Sequence, residues 1–401
     1  MNQVFEKTSI AGMTLENRIF RSGAHEGMGL DDGRPDNDIL TVYERLAKNK
    51  VGAIITGIRA VQQNGRIFSN ICLFDSDSFI DSYKPLVAKV REHDVPLILQ
   101  IVHGGGQCIP GVTKHTVAPS SISYSGFPKP RAMSEPEIEE VINSFVKAIV
   151  RARKAEFSGV QIHAAHGFLL SAFLSPHFNR RKDRWGGTTD NRFRIVGEII
   201  GRARQHVEDY PILIKISAYD GFKDGTTVEE SVQIAKKLQE VGCDAIEISC
   251  GNSDWYNTIR VTKVPIQALL TLHPQYSGMP LLQKKLFTLV APLVIKKYQP
   301  LRNYNVEAAR KIKEHVTVPV IVVGGIRRLK DIEEIIGENK ADYVSMGRPF
   351  IIEPDIVAKF FSGQQEESRC INCGYCVQGV SNAKLKCYYG RVSRVEETKF
   401  K

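Results

Sequence analysis

The chain has 401 residues, of which 42% are hydrophobic and 24% charged, with a formal net charge of +10. This is a globular composition with enough apolar sequence for a large core, and no run of about 18 uncharged apolar residues is present to cross a bilayer. The start, MNQVFEKTSI, lacks the apolar stretch of a secretory signal; the positive charge suits anionic ligands such as phosphates or coenzyme-A esters; and no interleaving of basic and aromatic residues points to nucleic acid.

Length alone allows two or three domains or one α/β barrel. Strands are predicted at Arg18–Ala24, Ala53–Gly57, Leu97–His103, Gly159–Ala165, Ile212–Ser217, Ala245–Ser249, Val320–Gly325 and Tyr343–Arg348. Continuous apolar, β-branched runs of this kind suit parallel strands covered on both faces. Helical patterns lie between them. The clearest opens on the capping box Ser134-x-x-Glu137 and carries an apolar stripe at Ile138, Val141, Ile142, Phe145, Val146, Ile149 and Val150. Further helices are predicted over 37–50, 81–93, 191–208, 228–240, 304–315, 330–338 and 354–362. Eight strand–helix units are the pattern of a closed (β/α)8 TIM barrel, with an open doubly wound sheet as the alternative. Residues 104–133, rich in Gly, Pro and Ser, are too long for a simple connection. So are residues 250–303, with a Leu/Lys-rich stretch, Met279–Lys297, predicted helical. In a barrel such loops after strands form the active face and are candidates for a substrate lid.

The strand ends carry unusual chemistry. The first ends in Ser22-Gly23-Ala24-His25, and the third contains Gln100 and ends in His103-Gly104-Gly105-Gly106. The fourth ends in His163-Ala164-Ala165-His166-Gly167, and the fifth holds Lys215 between Ile214 and Ile216. The seventh ends in Gly324-Gly325 and the eighth in Gly347-Arg348. One strand-end histidine is ordinarily structural and one Gly-Gly ordinarily a turn. A lysine inside an apolar run is different, because a buried ammonium needs a partner. Glycines ending two neighbouring strands also leave backbone N–H groups free to close on a phosphate. A phosphate there, with an amide and a cation at strands three and five, implies a long phosphorylated cofactor across the barrel mouth.

Four of the eight cysteines crowd near the end as Cys370-x2-Cys373-x2-Cys376-x10-Cys387. Four thiols within so short a span can surround one metal centre, iron–sulfur or zinc. Cys72, Cys108, Cys243 and Cys250 read as core residues. Clustered thiols without a disulfide framework suit a reducing compartment, the cytoplasm. Residues 1–363 are read as the barrel and 364–401 as a cluster-binding tail packed on it.

From Leu15-Glu16-Asn17-Arg18-Ile19 to the cysteines, the chain resembles the Old Yellow Enzyme family of FMN-dependent oxidoreductases. The most specific stretch is Ile162–Arg194, IHAAHGFLLSAFLSPHFNRRKDRWGGTTDNRFR, with VPVIVVGGIR and ADYVSMGRPF similar to the family's flavin-phosphate region. The cysteines are similar to those of the branch holding 2,4-dienoyl-CoA reductase and trimethylamine dehydrogenase, whose members carry a 4Fe-4S cluster beside FMN. That branch has a further dinucleotide-binding region after the cysteines, and no G-x-G-x-x-G follows them here.

The resemblance implies that Gln100 meets the pyrimidine edge of the isoalloxazine and that Lys215 stabilises the anionic reduced flavin near N1 and O2. It places Ser22, Gly23 and Ala24 along the ring, counts Gly57 among the cofactor residues, and gives the phosphate to Gly324, Gly325, Gly347 and Arg348. His163 and His166 would polarise an α,β-unsaturated carbonyl or enoyl-thioester so that hydride from flavin N5 reaches the β-carbon. NAD(P)H or a reduced carrier protein would supply the electrons. An amine-type dehydrogenase and a flavin/iron–sulfur electron-transfer subunit working with a partner are the alternatives, and a zinc-bearing barrel without flavin is a third. Exposed barrel helices suit a homo-oligomer. Two departures stand out. Phe168 occupies the position where the family commonly has a proton-donating tyrosine, which hands that role to His25 or water. The middle cysteine gap is also one residue shorter than the branch's C-x2-C-x3-C.

Overall fold

Parallel strands buried on both faces need a layer of helices outside and a filled interior, and a computed structural model of the chain shows both. It describes residues 3–109, 111–113, 115–124, 126–252, 266–272, 274–294, 302–381 and 383–390. The central strands are β1 (Ile19–Arg21), β2 (Ala53–Ala60), β3 (Leu97–Val102), β4 (Gly159–Ala164), β5 (Ile212–Ser217), β6 (Ala245–Ser249), β7 (Val320–Val323) and β8 (Tyr343–Met346). Each pairs in parallel with its neighbour in chain order, and β8 pairs back onto β1. The sheet is therefore a closed (β/α)8 barrel, as the sequence predicts, and not an open doubly wound sheet.

The outer helices are α1 (Asp38–Ala47), α2 (Ile80–Arg91), α3 (Glu135–Lys154), α4 (Thr189–Val207), α5 (Val228–Glu240), α6 (Val306–Lys313), α7 (Leu329–Gly337) and α8 (Ile356–Phe361). Helix α3 shows why they form. Glu137 accepts a hydrogen bond from the Ser134 N–H at 2.8 Å, fixing the first turn. Ile138, Val141, Ile142, Phe145 and Ile149 are all buried on one face. At about 1.5–3 kcal/mol per fully buried side chain, that face rather than intrinsic propensity holds the helix to the barrel.

Inside the barrel the two-residue period of a strand stacks side chains in layers. The lower layer holds Phe20, Ile98, Leu213, Ala245, Ile321 and Tyr343, and is closed from below by Ile10, Met13 and Leu15. These last three come from an antiparallel hairpin, Thr8–Ile10 with Met13–Leu15, that the sequence reading did not anticipate. One step up β1, β3, β5, β6 and β8 the interior turns polar, with Ser22, Gln100, Lys215, Glu247 and Ser345 all buried. Apolar ballast at the bottom and chemistry at the top is the arrangement that positions a site.

The connection after β3 contains a helical turn at Gly105–Gln107 and a small strand pair, Val117–Ala118 with Arg131–Ala132. After β6 come the helices Ile266–Leu272, Pro274–Ser277 and Leu281–Val294. The last covers most of the predicted stretch Met279–Lys297, whose final three residues lie outside the described ones. Beyond α8 the chain is pinned back over the mouth. Ser368 Oγ donates to Glu353 Oε2 at 2.8 Å, Asn70 Nδ2 to the Val380 carbonyl at 2.9 Å, and the Leu385 N–H to the Glu26 carbonyl at 2.7 Å. Among the described residues no helix is long and apolar enough to cross a membrane.

Candidate functional site at the barrel mouth

The C-terminal ends of the strands surround a cavity of about 270 Å³. Ser22, Gly23, Ala24, His25, Gln100, His163, His166, Lys215, Gly324, Gly325, Gly347 and Arg348, all singled out from the sequence, line it together. Gly57 does not, and this corrects the expectation for it. Strand β2 slips register between Ile55 and Ile58, so the alternation of faces shifts and Ile58 reaches the mouth instead. The Gly57 N–H donates to Glu26 Oε1 at 2.7 Å, and a Cβ at this position would overlap Glu26 Oε2. Gly57 is thus a spacer for the buried Glu26–Arg59 ion pair.

The floor of the cavity is one connected polar network. Glu247 Oε2 lies 3.1 Å from Lys215 Nζ and accepts from Gln161 Nε2 at 2.7 Å. Its Oε1 accepts from Ser22 Oγ at 2.7 Å and from Ser345 Oγ at 2.6 Å. Lys215 Nζ also donates to Ser22 Oγ at 3.0 Å, and Gln100 Nε2 donates to Gln161 Oε1 at 2.6 Å. The register causes this: Lys215 sits opposite Glu247 on one side and opposite His163 on the other, and Gln100 opposite Gln161. Glu247 and Gln161 were missed, although an acid inside the apolar run Ala245–Ser249 was the partner that the buried lysine demanded.

Above this floor stand the two histidines, ring centroids 4.9 Å apart, with Phe168 the same 4.9 Å from His163. His163 Nδ1 accepts from the Ala165 N–H at 3.3 Å, which leaves the proton on Nε2. His166 adopts φ +66°, turning the chain sharply at the end of β4, and its Nε2 is 2.8 Å from Ser249 Oγ. Burial, each other's proximity and the Lys215 charge hold His163 well below the usual imidazole range; burial and Lys215 lower His166 to about 3. Both rings are therefore neutral hydrogen-bonding groups at physiological pH. His25 also lines the mouth, but its Nε2 pairs with Asn70 Oδ1 at 3.1 Å and its Nδ1 accepts from the Gly27 N–H at 3.4 Å.

At the far end the glycines leave backbone exposed. Gly324 and Gly325 have φ of +144° and +75°, backbone angles that favour glycine. A Cβ on Gly347 would meet no heavy atom within 4 Å, so this backbone faces open cavity beside Arg348. Tyr304 and the tail residues Asn372, Val377, Val380 and Leu385 complete the wall. No periodicity marks these tail residues in the sequence. The whole fits a flat ring with polar edges, laid over the network and carrying an anionic group at the glycine end.

The four clustered cysteines line a second, smaller cavity, which shares Arg348 and Ile351 with the first. Asn372 and Gly374, with φ of +57° and +76°, turn the chain sharply between the cysteines. Burial pushes Cys376 up to about 12 and raises Cys370 and Cys373, against the opposing pull of Arg348. Among the described residues no three His, Cys, Asp or Glu side chains are close enough to share a single ion.

The model of the NADH:flavin oxidoreductase / NADH oxidase family matches residues 3–254 and 253–367. An NADH oxidase of Thermoanaerobacter brockii is 33% identical over 394 residues, covering 96% of this chain and 55% of that protein. An NADPH dehydrogenase of Geobacillus sp. (strain WCH70) is 32% identical over 353 residues, covering 88% of this chain and 91% of the relative. Among solved structures, a 2-naphthoyl-CoA reductase in complex with 2-naphthoyl-CoA superposes with a TM-score of 0.80 at 21% identity, covering 96% of this chain and 56% of that one. The old yellow enzyme homologue of Zymomonas mobilis superposes with a TM-score of 0.72 at 20% identity, covering 95% and 99%. The chain thus spans about half the length of the Thermoanaerobacter relative and of the 2-naphthoyl-CoA reductase chain.

Proposed function

Because the chain belongs to the NADH:flavin oxidoreductase / NADH oxidase family, we propose that it is an FMN-dependent NAD(P)H oxidoreductase acting on the activated C=C bond of an unsaturated carbonyl or enoyl-thioester. One observation carries the reading. The polar upper layer of the barrel, the neutral histidine pair and the open glycines all line one cavity of the right chemistry for a flavin phosphate. FMN, when bound, supplies the two-electron carrier.

The chain's own residues do the rest. Gln100 spends Nε2 on Gln161, which leaves its Oε1 for a ring N–H. Lys215 offers positive charge to the pyrimidine edge, moderated by Glu247 beneath it. Backbone N–H groups near Gly325 and Gly347, with Arg348, hold the phosphate. His163 donates its Nε2 proton to the substrate carbonyl, and Ser249 fixes the rotation of His166 beside it. Phe168 covers the histidines but has no proton to give. Because both nitrogens of His25 are engaged, water reaching the open mouth is the better proton source. Anaerobic mixing of reduced holoprotein with a panel of enones and enoyl-CoA esters tests this function. Failure of every member to reoxidise the flavin would sink it.

The wall shared through Arg348 and Ile351 supports a second element of the reading. Cys370, Cys373, Cys376 and Cys387 would hold a 4Fe-4S cluster, which would supply one-electron exchange with a redox partner. Iron and acid-labile sulfide contents near zero in anaerobically prepared protein would remove it.

A further inference from the structure

The insertion after β6 carries a feature unrelated to the mouth chemistry. On the helix Leu281–Val294, Leu281, Leu282, Leu286, Leu289 and Leu293 are 61–85% exposed, and Val290 is 43% exposed. These are six of the ten large apolar side chains exposed among the described residues. So dense a patch marks an interaction surface. The helix is anchored on its other side, where Ala291 is buried and the Phe287 ring lies 5.4 Å from Tyr276. It packs on Ile266–Leu272, which in turn packs on Tyr375–Gly379, the segment whose Val377 lines the mouth.

The charge pattern says what covers this face. The helix Leu281–Val294 contains two lysines and no Asp or Glu. Of these, Lys285 is exposed and Lys284 is half-buried. An isologous contact with a second copy would bury these lysines beside the leucines, with no acid on the helix to pair them. An anionic bilayer instead accepts leucines into its acyl boundary and lysines at its headgroups. We propose that Leu281–Val294 is a docking helix that lies in the surface of an anionic lipid bilayer and turns the mouth end of the barrel toward it.

Full-chain holoprotein sedimented with vesicles of phosphatidylcholine, and of phosphatidylcholine with one-third phosphatidylglycerol, tests this. Partition onto the anionic vesicles is expected to be at least about tenfold stronger and to weaken with salt. Leu286→Glu/Leu289→Glu should cut the bound fraction about tenfold or more, with flavin content and circular dichroism unchanged. Lys284→Glu/Lys285→Glu should abolish the preference for anionic vesicles. No sedimentation of the unaltered protein with either vesicle would overturn the proposal. So would a dimer in light scattering that Leu286→Glu/Leu289→Glu splits without any vesicle binding, which would give the face to a second copy. Vesicle binding needs no flavin, so colourless protein that still binds would separate this proposal from the flavin reading.

Discussion

The Lys215–Glu247 pair gives the sharpest test of how the site is built. Both side chains are buried, 2% and 0% exposed, and the nitrogen lies 3.1 Å from the carboxylate. Lys215→Met leaves a carboxylate in the barrel interior with hydrogen bonds from Ser22, Ser345 and Gln161 but no countercharge. Breaking a buried pair in this way costs about 3–5 kcal/mol. Glu247→Gln strands the ammonium instead and should cost about as much. The double variant removes both charges, and the amide still accepts from at least one hydroxyl, so its loss should fall well below the sum of the two. The expected coupling is about 3 kcal/mol. Urea unfolding followed by the fluorescence of buried Trp185, with FMN-saturated and FMN-stripped samples measured separately, reads it. Additivity of the single variants within about 0.5 kcal/mol would refute the argument that the two charges form one unit.

His163→Ala should weaken a phenolic ligand bound as its phenolate by about 10–100-fold in equilibrium titration without loss of FMN, since the neutral imidazole N–H then donates to an ionised oxygen; equal affinity would remove His163 from the substrate's path. Phe168→Tyr places a hydroxyl beside the histidines and should raise enone turnover about tenfold or more if proton delivery limits the reaction. An unchanged rate, with no shift in its solvent isotope effect, would show that protonation is already adequate. Cys373→Ser and Cys376→Ser should each lose the broad visible absorption together with iron and sulfide, and full retention of both would disprove the cluster. Acidification gives the fifth. His103 is lowered to about 4 by burial, and His163 lies well below its usual value. Between pH 6.5 and about 4 the unfolded chain binds protons that the folded chain refuses, so stability falls as pH falls, by about 1.4 kcal/mol per unit for each histidine. His25 and His166, partly open to the cavity, act in the same direction. A thermal midpoint equal at pH 7.5 and 5.5 would contradict this.

The amino-acid order determined the barrel. Its eight strands are runs of β-branched and aliphatic residues that only a doubly covered parallel sheet can bury, and the predicted spans for β5 and β6 match the observed ones residue for residue. Twelve of the residues chosen at strand ends meet at one mouth because strand ends in a closed barrel have nowhere else to point. What the sequence could not carry depended on register and return. A bulge in β2 exchanged Gly57 for Ile58 at the mouth, and a bulge leaves no composition signal. Which acid neutralises Lys215 was fixed only when β5 and β6 paired with those two residues side by side. The tail's contribution to the cavity wall comes from long-range bonds, Asn70 to Val380 and Leu385 to Glu26, between segments separated by most of the chain. Local periodicity reports which face of an element is buried, whereas contacts between distant segments are decided by the closed geometry that brings them together.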